Sequence, residues 1–193
     1  MTINRIKEVA LNQFAKSGYE GASMAHIANE VGIKKQSIYT HFKGKDELFL
    51  QVCRDTFTDE LSFVHSFMNN KNKLPLEDLL FGLLLEYKKR YEQNIKTKFW
   101  LRVSFFPPAH LYDHIINDVY HYLDQLEELL IPIFDCAMSE GSINASVGVK
   151  RAATAYLSLL DGIFVEMLYG GKERLEKRLD ASWHLYWRGL TID

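Results

Sequence analysis

Cysteine and proline are scarce in this chain of 193 residues, which contains two cysteines and four prolines. Because Cys53 and Cys136 show no C-x-x-C spacing, the sequence predicts no disulfide framework, and a reducing cytoplasm is the expected compartment. No uncharged apolar run approaches the roughly 18 residues needed to cross a bilayer. Arg5, Lys7 and Glu8 stand where a signal peptide would carry its apolar stretch. We therefore expect no membrane partner and no export.

The composition is that of a folded globular protein, with 47% hydrophobic and 25% charged residues. The length favours one domain, or one domain with a small additional module. Apolar residues recur at helical spacing along almost the whole sequence, and few prolines interrupt these patterns. The sequence predicts an all-α protein, with helices over about 4–17, 35–42 and 109–139 and a linker, MNNKNKL, over 68–74.

Positive charge is concentrated near the N-terminus, although the net charge of the chain is −2. Residues 1–50 contain seven Lys and Arg against five Asp and Glu, and four of these cations lie between positions 34 and 45. A local basic cluster on an otherwise acidic chain indicates a polyanionic partner for one end of the protein. Solvent-exposed helix faces also contain runs of charged residues, so a structural motif is needed to support the prediction of a polyanionic partner.

Residues 23–42 form the most specific pattern in the sequence, a short capped helix, a glycine turn and a second short helix. Ser23 is a favourable N-cap, Gly32 tolerates the dihedral angles of the turn, and Ile38 anchors the second helix. An ordinary helical corner is the alternative interpretation. The outward face of the second helix carries side chains suited to base edges and phosphates, namely Lys35, Gln36, Tyr39 and Thr40, flanked by Ser37 and His41.

The segment Phe14–Phe49, FAKSGYEGASMAHIANEVGIKKQSIYTHFKGKDELF, resembles the N-terminal DNA-binding region of the TetR (tetracycline-repressor-like) family of transcriptional regulators. The resemblance covers about a quarter of the chain. It implies a three-helix helix-turn-helix DNA-binding domain over 1–46. A long helix would join this domain to a larger helical effector-binding and dimerisation domain over 47–193, with about nine helices in total.

The same resemblance assigns roles to individual residues. Ser23 would cap the second helix and touch a phosphate, and Lys45 would bind phosphate at the start of the fourth helix. Lys34 replaces a common Ser or Thr cap, which weakens the cap but adds a cation. Gln36 replaces a smaller residue and is expected to read a base, with adenine as its natural partner. The predicted DNA-binding set is Ser23, Lys34, Lys35, Gln36, Ser37, Tyr39, Thr40, His41 and Lys45.

A single helix-turn-helix makes few base contacts, so a homodimer on a palindromic operator in double-stranded DNA is expected. The last two helices are the candidate interface, because they combine an apolar seam at four-three spacing with small residues and large aromatic ones. The family resemblance favours a two-chain four-helix contact, and a core within one subunit is the alternative. The predicted interface residues are Ala152, Ala155, Tyr156, Leu159, Ile163, Trp183, Tyr186 and Trp187.

Proteins that resemble this family usually bind a small effector between their middle helices, which here are rich in aromatic residues. A hydrophobic or aromatic compound of unknown identity would then release the operator by shifting the conformational population. Core packing is the alternative for each residue. The predicted lining is Phe63, Phe67, Tyr87, Tyr91, Trp100, Phe106 and Tyr120, with Arg102 and His65 as possible polar anchors.

No enzyme motif is present, because the sequence lacks G-x-S-x-G, a glycine-rich phosphate loop and H-E-x-x-H. We therefore expect a DNA-binding transcriptional regulator, most simply a repressor, with no catalytic activity and no cofactor. A helical protein-interaction module and an enzyme with scattered catalytic residues are the alternatives. A helical stripe could bind a transition metal, but a polar exposed face is the simpler interpretation, and no metal site is predicted; the stripe is His110, His114, Asp118 and His121.

Overall fold

A computed structural model describes residues 3–191, which form nine α-helices and two 3₁₀ turns and contain no β-strand. The predicted all-α fold of about nine helices is therefore confirmed. The helices are α1 (Ile3–Gly21), α2 (Met24–Val31), α3 (Lys35–Tyr39), α4 (Lys45–Lys71), α5 (Leu76–Gln93), α6 (Ile95–Phe105), α7 (Tyr112–Ser139), α8 (Val149–Tyr169) and α9 (Gly171–Leu190), with 3₁₀ turns at Ala109–Leu111 and Ala145–Val147.

Helix α1 is interrupted at Gly18, near the end predicted for it. Gly18 has φ 70° and ψ −179°, which a residue with a Cβ rarely adopts, and a last helical turn follows it to Gly21. Before the interruption, α1 buries one apolar stripe that includes Ile6, Ala10 and Phe14. The interruption changes the direction of the chain just before Tyr19, which contacts the first residues of α4.

Two predicted boundaries are wrong. Helix α4 continues to Lys71, through four residues of the predicted linker 68–74, because Met68 is buried and continues its apolar pattern. The predicted helix over 109–139 begins only at Tyr112, after the 3₁₀ turn Ala109–Leu111. Pro107 and Pro108 precede that turn, and they supply no N–H group and restrict the preceding backbone.

The chain divides into two compact units. The first contains the residues up to Glu60 together with Glu92–Tyr120, and in it α1 packs against both α2 and α6. The second contains Leu61–Tyr91 and the residues from His121 onward, and in it α8 packs against α9. These units are defined by packing, so the predicted functional division between residues 46 and 47 stays a prediction.

The core of the second unit contains hydrogen bonds from tyrosine hydroxyls as well as apolar contacts. Tyr156 on α8 is fully buried and donates to the backbone carbonyl of Leu80 at 2.7 Å, and the hydroxyls of Tyr87 and Tyr122 share a hydrogen bond. Each buried hydroxyl thus has the partner that its removal from water requires. Burial also raises the pKa of Tyr156 well above its usual value.

Among the described residues, α8 alone has the length and apolar composition of a membrane-crossing helix, with a mean hydropathy of 1.2 in its most apolar window. Core helices of globular proteins have the same composition, and Ala153, Tyr156 and Leu160 are buried in the second unit. Only 44% of that window is buried within the chain, so much of an apolar helix remains uncovered.

Candidate nucleic-acid interface

The geometry of the α2–α3 corner follows from its local sequence. Ser23 caps α2, because its hydroxyl accepts a hydrogen bond from the backbone N–H of His26 at 3.1 Å. Gly32 ends α2 in the left-handed conformation, with φ 81° and ψ 32°. The N–H of Ile33 then reaches back to the carbonyl of Ala28 at 2.9 Å, which satisfies the end of α2 and turns the chain into α3.

One side of helix α3 is buried against the protein, and the other side is exposed to solvent. Ile38 is 0% exposed, whereas Tyr39 is 46% exposed, and Lys35, Gln36 and Thr40 are also exposed. The Lys35 ammonium lies 5.8 Å from the centre of the Tyr39 ring. The exposed side thus presents a cation, an amide and two hydroxyl groups, which is the predicted polar face.

The ends of α3 differ from an ideal helix. Lys34 forms no side-chain cap, as predicted, and remains an exposed cation. The helix ends at Tyr39, three residues before the predicted end, because the N–H groups of His41 and Phe42 both bond to the carbonyl of Ile38. The Thr40 hydroxyl donates to the carbonyl of Ser37 at 2.8 Å, while His41 stays exposed and Ser37 half-buried.

Lys45, at the first position of α4, is held by the end of α1. Its ammonium lies 4.2 Å from the centre of the Tyr19 ring and donates to the backbone carbonyl of Glu20 at 3.5 Å. The neighbouring Asp46 accepts a hydrogen bond from the Tyr19 hydroxyl and lies 3.6 Å from Nε2 of His110. Tyr19 therefore positions the first two residues of α4, and one of them is a predicted phosphate ligand.

The electrostatics of this contact favour an ionised Asp46. The hydrogen bond from Tyr19 is the main reason that the pKa of Asp46 lies below its usual value, and His110 lowers it further. Burial, followed by the interaction with Asp46, raises the pKa of Tyr19 above its usual value. Sequence reasoning missed the part played by His110, because nothing in the local pattern around residue 110 indicates contact with α4.

Four lysines lie in α3, beside it or at the start of α4. Lys34, Lys35 and Lys43 are exposed, Lys45 is half-buried, and none of the four forms an ion pair with a residue of the described chain. The carboxylate of Glu47 is turned instead towards the backbone, where it accepts from the N–H of Lys43 at 2.6 Å. Unpaired lysines beside a polar helix face can bind phosphates while that face reads base edges.

The seven aromatic residues predicted to bind an effector do not share one environment. Trp100, Phe106 and Tyr120 belong to the first unit, and the other four belong to the second. Trp100 is buried, whereas Phe106 and Tyr120 are 51% and 58% exposed. In the second unit, the Phe63 ring lies 5.4 Å from that of Tyr87 and 6.2 Å from that of Phe67; Tyr91 is half-buried. This set stays a prediction, as do the anchors Arg102 and His65, both of which are exposed.

Four of the eight predicted interface residues are packed inside the single chain. Ala152, Tyr156, Ile163 and Trp183 are buried there, so the alternative of a core within one subunit applies to them. The other four remain at least partly accessible. Periodicity identified a buried stripe correctly, but it could not distinguish burial within the chain from burial by a partner. The accessible residues are Ala155, Leu159, Tyr186 and Trp187.

The helical stripe considered for metal binding does not form a site. In residues 3–191, no three His, Cys, Asp or Glu side chains are placed to hold a metal ion together. His110 lies in the 3₁₀ turn before α7, which breaks the assumed spacing, and it faces Asp46. Asp118 lies 3.6 Å from Nε of Arg54, while His114 and His121 are exposed.

The family of bacterial regulatory proteins named tetR matches residues 6–52. The chain is 24% identical to the uncharacterized helix-turn-helix-type transcriptional regulator YvkB of Bacillus subtilis, over 100% of this chain and 98% of that protein. It is 26% identical to the biofilm operon icaADBC negative transcriptional regulator IcaR of Staphylococcus epidermidis, over 66% of this chain and 64% of that protein.

The fold is similar to that of the transcriptional regulator FadR from Bacillus subtilis, solved in complex with stearoyl-CoA. The TM-score is 0.67 at 16% identity, and the alignment covers 96% of this chain and 97% of that chain. At this identity the similarity shows a shared fold along almost the entire chain.

Proposed function

We propose, because the chain belongs to the TetR family of bacterial regulatory proteins, that it represses transcription in the cytoplasm by binding a palindromic operator as a homodimer. The observation that carries this proposal is the seating of α3, where Ile38 is fully buried while Lys35, Gln36 and Tyr39 face solvent. This orientation is the one a recognition helix needs to enter a major groove. Repression is supported by the similarity to the negative regulator IcaR.

The DNA-binding residues divide by chemistry. Gln36 has the amide that can pair in a bidentate way with adenine, and Lys35, Tyr39 and Thr40 lie on the same exposed side of α3. We propose that Ser23, Lys34 and Lys45 donate to phosphates, and that Ser37 and His41 contact the backbone or bases beside them. The contact of Lys45 with Tyr19 keeps its ammonium ordered before DNA arrives, which lowers the entropy lost on binding.

A mobility-shift titration with DNA from upstream of the gene tests DNA binding. Replacing Tyr39 and Lys45 with Ala together should abolish the shift while circular dichroism remains unchanged. The matched control replaces Tyr112, which is 50% exposed, and the exposed Lys71 with Ala, and this control should bind normally. Unimpaired binding by the first variant would refute the site.

The salt dependence gives a second measure of the same contact. Each phosphate contact contributes about −0.9 to the slope of log K against log salt concentration. Lys45→Ala removes one such contact from each subunit, so the slope of the dimer should become shallower by about 2. An unchanged slope would mean that Lys45 does not touch phosphate.

We propose that dimers form through the uncovered face of α8 and α9. Ala155, Ser158 and Gly162 follow one another at helical spacing on α8 and are all exposed, and Leu185 on α9 is 71% exposed. Small residues allow close helix approach, and an exposed leucine supplies apolar area for a partner to bury. Tyr186 donates to the carbonyl of Ala152 at 2.9 Å and so fixes one edge of this face.

Gly162→Trp tests the interface without disturbing the protomer core, because a Cβ at Gly162 would meet no atom within 4 Å. We expect this variant to be monomeric in light scattering and to lose operator affinity. Lys98→Trp, at an exposed position on α6 outside this face, is the control and should remain dimeric. A dimeric Gly162→Trp protein would place the interface elsewhere.

We propose that a hydrophobic or aromatic effector releases the operator. The aromatic cluster around Phe63 supports this, since the Arg90 guanidinium lies 4.0 Å from the centre of the Phe63 ring and provides a cation beside an apolar surface. The complex of the structurally similar FadR with stearoyl-CoA supports the same class of ligand. Phe63→Ala should reduce release by an effector and leave operator binding unchanged in the mobility-shift titration.

A further inference from the structure

A cavity of about 390 Å³ lies within the first unit, next to the start of α4. Its walls come from the end of α1, from α4, from α6 and from residues 106–109, and they include Phe14, Tyr19, Phe49, Phe99 and Phe106. The rings of Phe14 and Phe49 lie 4.8 Å apart and those of Tyr19 and Phe49 lie 5.1 Å apart, both edge to face. The volume falls in the range of small-ligand pockets.

The polar groups of this cavity favour an anion. Arg102 lines it, is exposed, and has no hydrogen bond or ion pair from its guanidinium to any described residue. Glu20 also lines the cavity, and the Lys45 ammonium, which lies 3.5 Å from the Glu20 backbone carbonyl, places a second positive charge nearby. A planar guanidinium binds a carboxylate through two parallel hydrogen bonds, so Arg102 can orient an acid whose ring contacts the aromatic wall.

The same cavity reaches a residue that controls a predicted DNA contact. Tyr19 forms part of the wall, and its ring also lies under the Lys45 ammonium while its hydroxyl bonds Asp46. Gly18, with its positive φ, lines the cavity immediately before Tyr19. A ligand that moves the Tyr19 ring therefore moves the support of Lys45.

We propose that this cavity binds a small aromatic carboxylate through Arg102 and that the bound ligand weakens the hold of Tyr19 on Lys45, lowering the affinity for DNA. The site differs from the predicted effector lining, with which it shares only Phe106, and it uses Arg102, one of the two polar anchors predicted for that effector. The binding step stands on the cavity itself, whereas its effect on DNA rests on the proposed function. The protein would thus sense an aromatic acid inside the unit that binds DNA.

Calorimetric titration of the full chain with 2-naphthoate tests the binding step without DNA. We expect saturable binding that Arg102→Gln weakens at least about tenfold, the effect of losing a charge-assisted hydrogen bond. Lys98→Gln removes another exposed cation from α6, outside the cavity, and should bind like the wild type. Ala109→Trp, at an exposed position on the cavity lining, should block binding without disturbing the core.

Three results would overturn the site assignment. They are the absence of saturable binding by the wild type, undiminished binding by Ala109→Trp, and binding of 2-naphthylmethylamine or 2-naphthalenemethanol as tight as that of 2-naphthoate. Because these titrations contain no DNA, a failure of the proposed DNA binding would not change their outcome.

The regulatory step is tested by mobility shift with saturating 2-naphthoate. The wild type and Lys98→Gln should lose DNA affinity, and Ala109→Trp should be insensitive to the ligand. Tyr19→Phe, which keeps the ring but loses the hydroxyl bond to Asp46, should respond less than the wild type. Equal DNA affinity with and without ligand in a wild-type protein that binds 2-naphthoate would refute the coupling.

Discussion

Replacing Ile38 and Tyr39 separately should separate the stability of α3 from its function. Ile38 is 0% exposed, so Ile38→Ala removes a fully buried aliphatic side chain and leaves a cavity, which costs about 2–5 kcal/mol. Tyr39 is 46% exposed, so Tyr39→Ala should change the free energy of unfolding by no more than about 0.5 kcal/mol. One residue carries the packing of the helix, and its neighbour carries a DNA contact.

Thermal melts followed by circular dichroism measure this difference. For a chain of this size, about 1 kcal/mol shifts the melting temperature by roughly 2–4 °C, so Ile38→Ala should melt at least about 4 °C lower and Tyr39→Ala within about 2 °C of the wild type. Tyr39→Ala should nevertheless lose operator binding. A Tyr39→Ala protein as unstable as Ile38→Ala, or an Ile38→Ala protein of wild-type stability, would refute the orientation of α3.

Three further predictions concern groups outside the exposed face of α3. Thr97→Val removes a buried hydroxyl that donates to the Glu60 carboxylate on α4 at 2.6 Å. The free energy of unfolding, measured in urea, should fall by about 1.5–3 kcal/mol. Because the hydrogen bond from Tyr19 lowers the pKa of Asp46, this contact stabilises the folded protein above pH about 4. That stabilisation is lost as the pH falls through the lower pKa of Asp46 in the folded state, so Tyr19→Phe should unfold in acid at a higher pH than the wild type. Cys136 should react slowly with a thiol reagent in the native protein, since a neighbouring carboxylate raises its pKa, and Cys53 only after unfolding, since it is buried.

Each of these three predictions would be contradicted by a specific result. An unchanged unfolding free energy for Thr97→Val would show that its hydroxyl contributes nothing to the link between α6 and α4. Acid unfolding of Tyr19→Phe at the wild-type pH would remove Tyr19 as the partner of Asp46. Two rapidly reacting native thiols would contradict the burial of Cys53.

The helix-turn-helix was predictable because its determinants are local. Ser23, Gly32 and Ile38 act within a few residues of their own positions, as cap, turn and anchor, and the structure places each one as expected. The contacts at the start of α4 were not predictable, because Tyr19 holds Lys45 from the end of α1 and His110 reaches Asp46 from a distant part of the chain. The spacing of residues within a segment indicates its secondary structure and its buried face. It does not indicate which distant side chain will contact that segment.

Longer patterns were informative about helices and misleading about their surroundings. The polar run over 68–74 predicted a linker, yet Met68 extends the apolar pattern of α4 and the helix continues to Lys71. The seam of α8 predicted contact with a second chain, yet Tyr156 and Ile163 are buried by their own chain. The aromatic residues of the middle segment divide between two units, which their positions in the sequence did not indicate.

Dimethyl sulfate protection of guanine N7 tests most directly whether α3 lies in a major groove. With the wild-type protein on its operator, protection should appear at two half-sites separated by about one helical turn of DNA or a multiple of it. It should disappear with the Tyr39→Ala, Lys45→Ala protein. Binding that leaves every N7 reactive in the major groove would contradict the account.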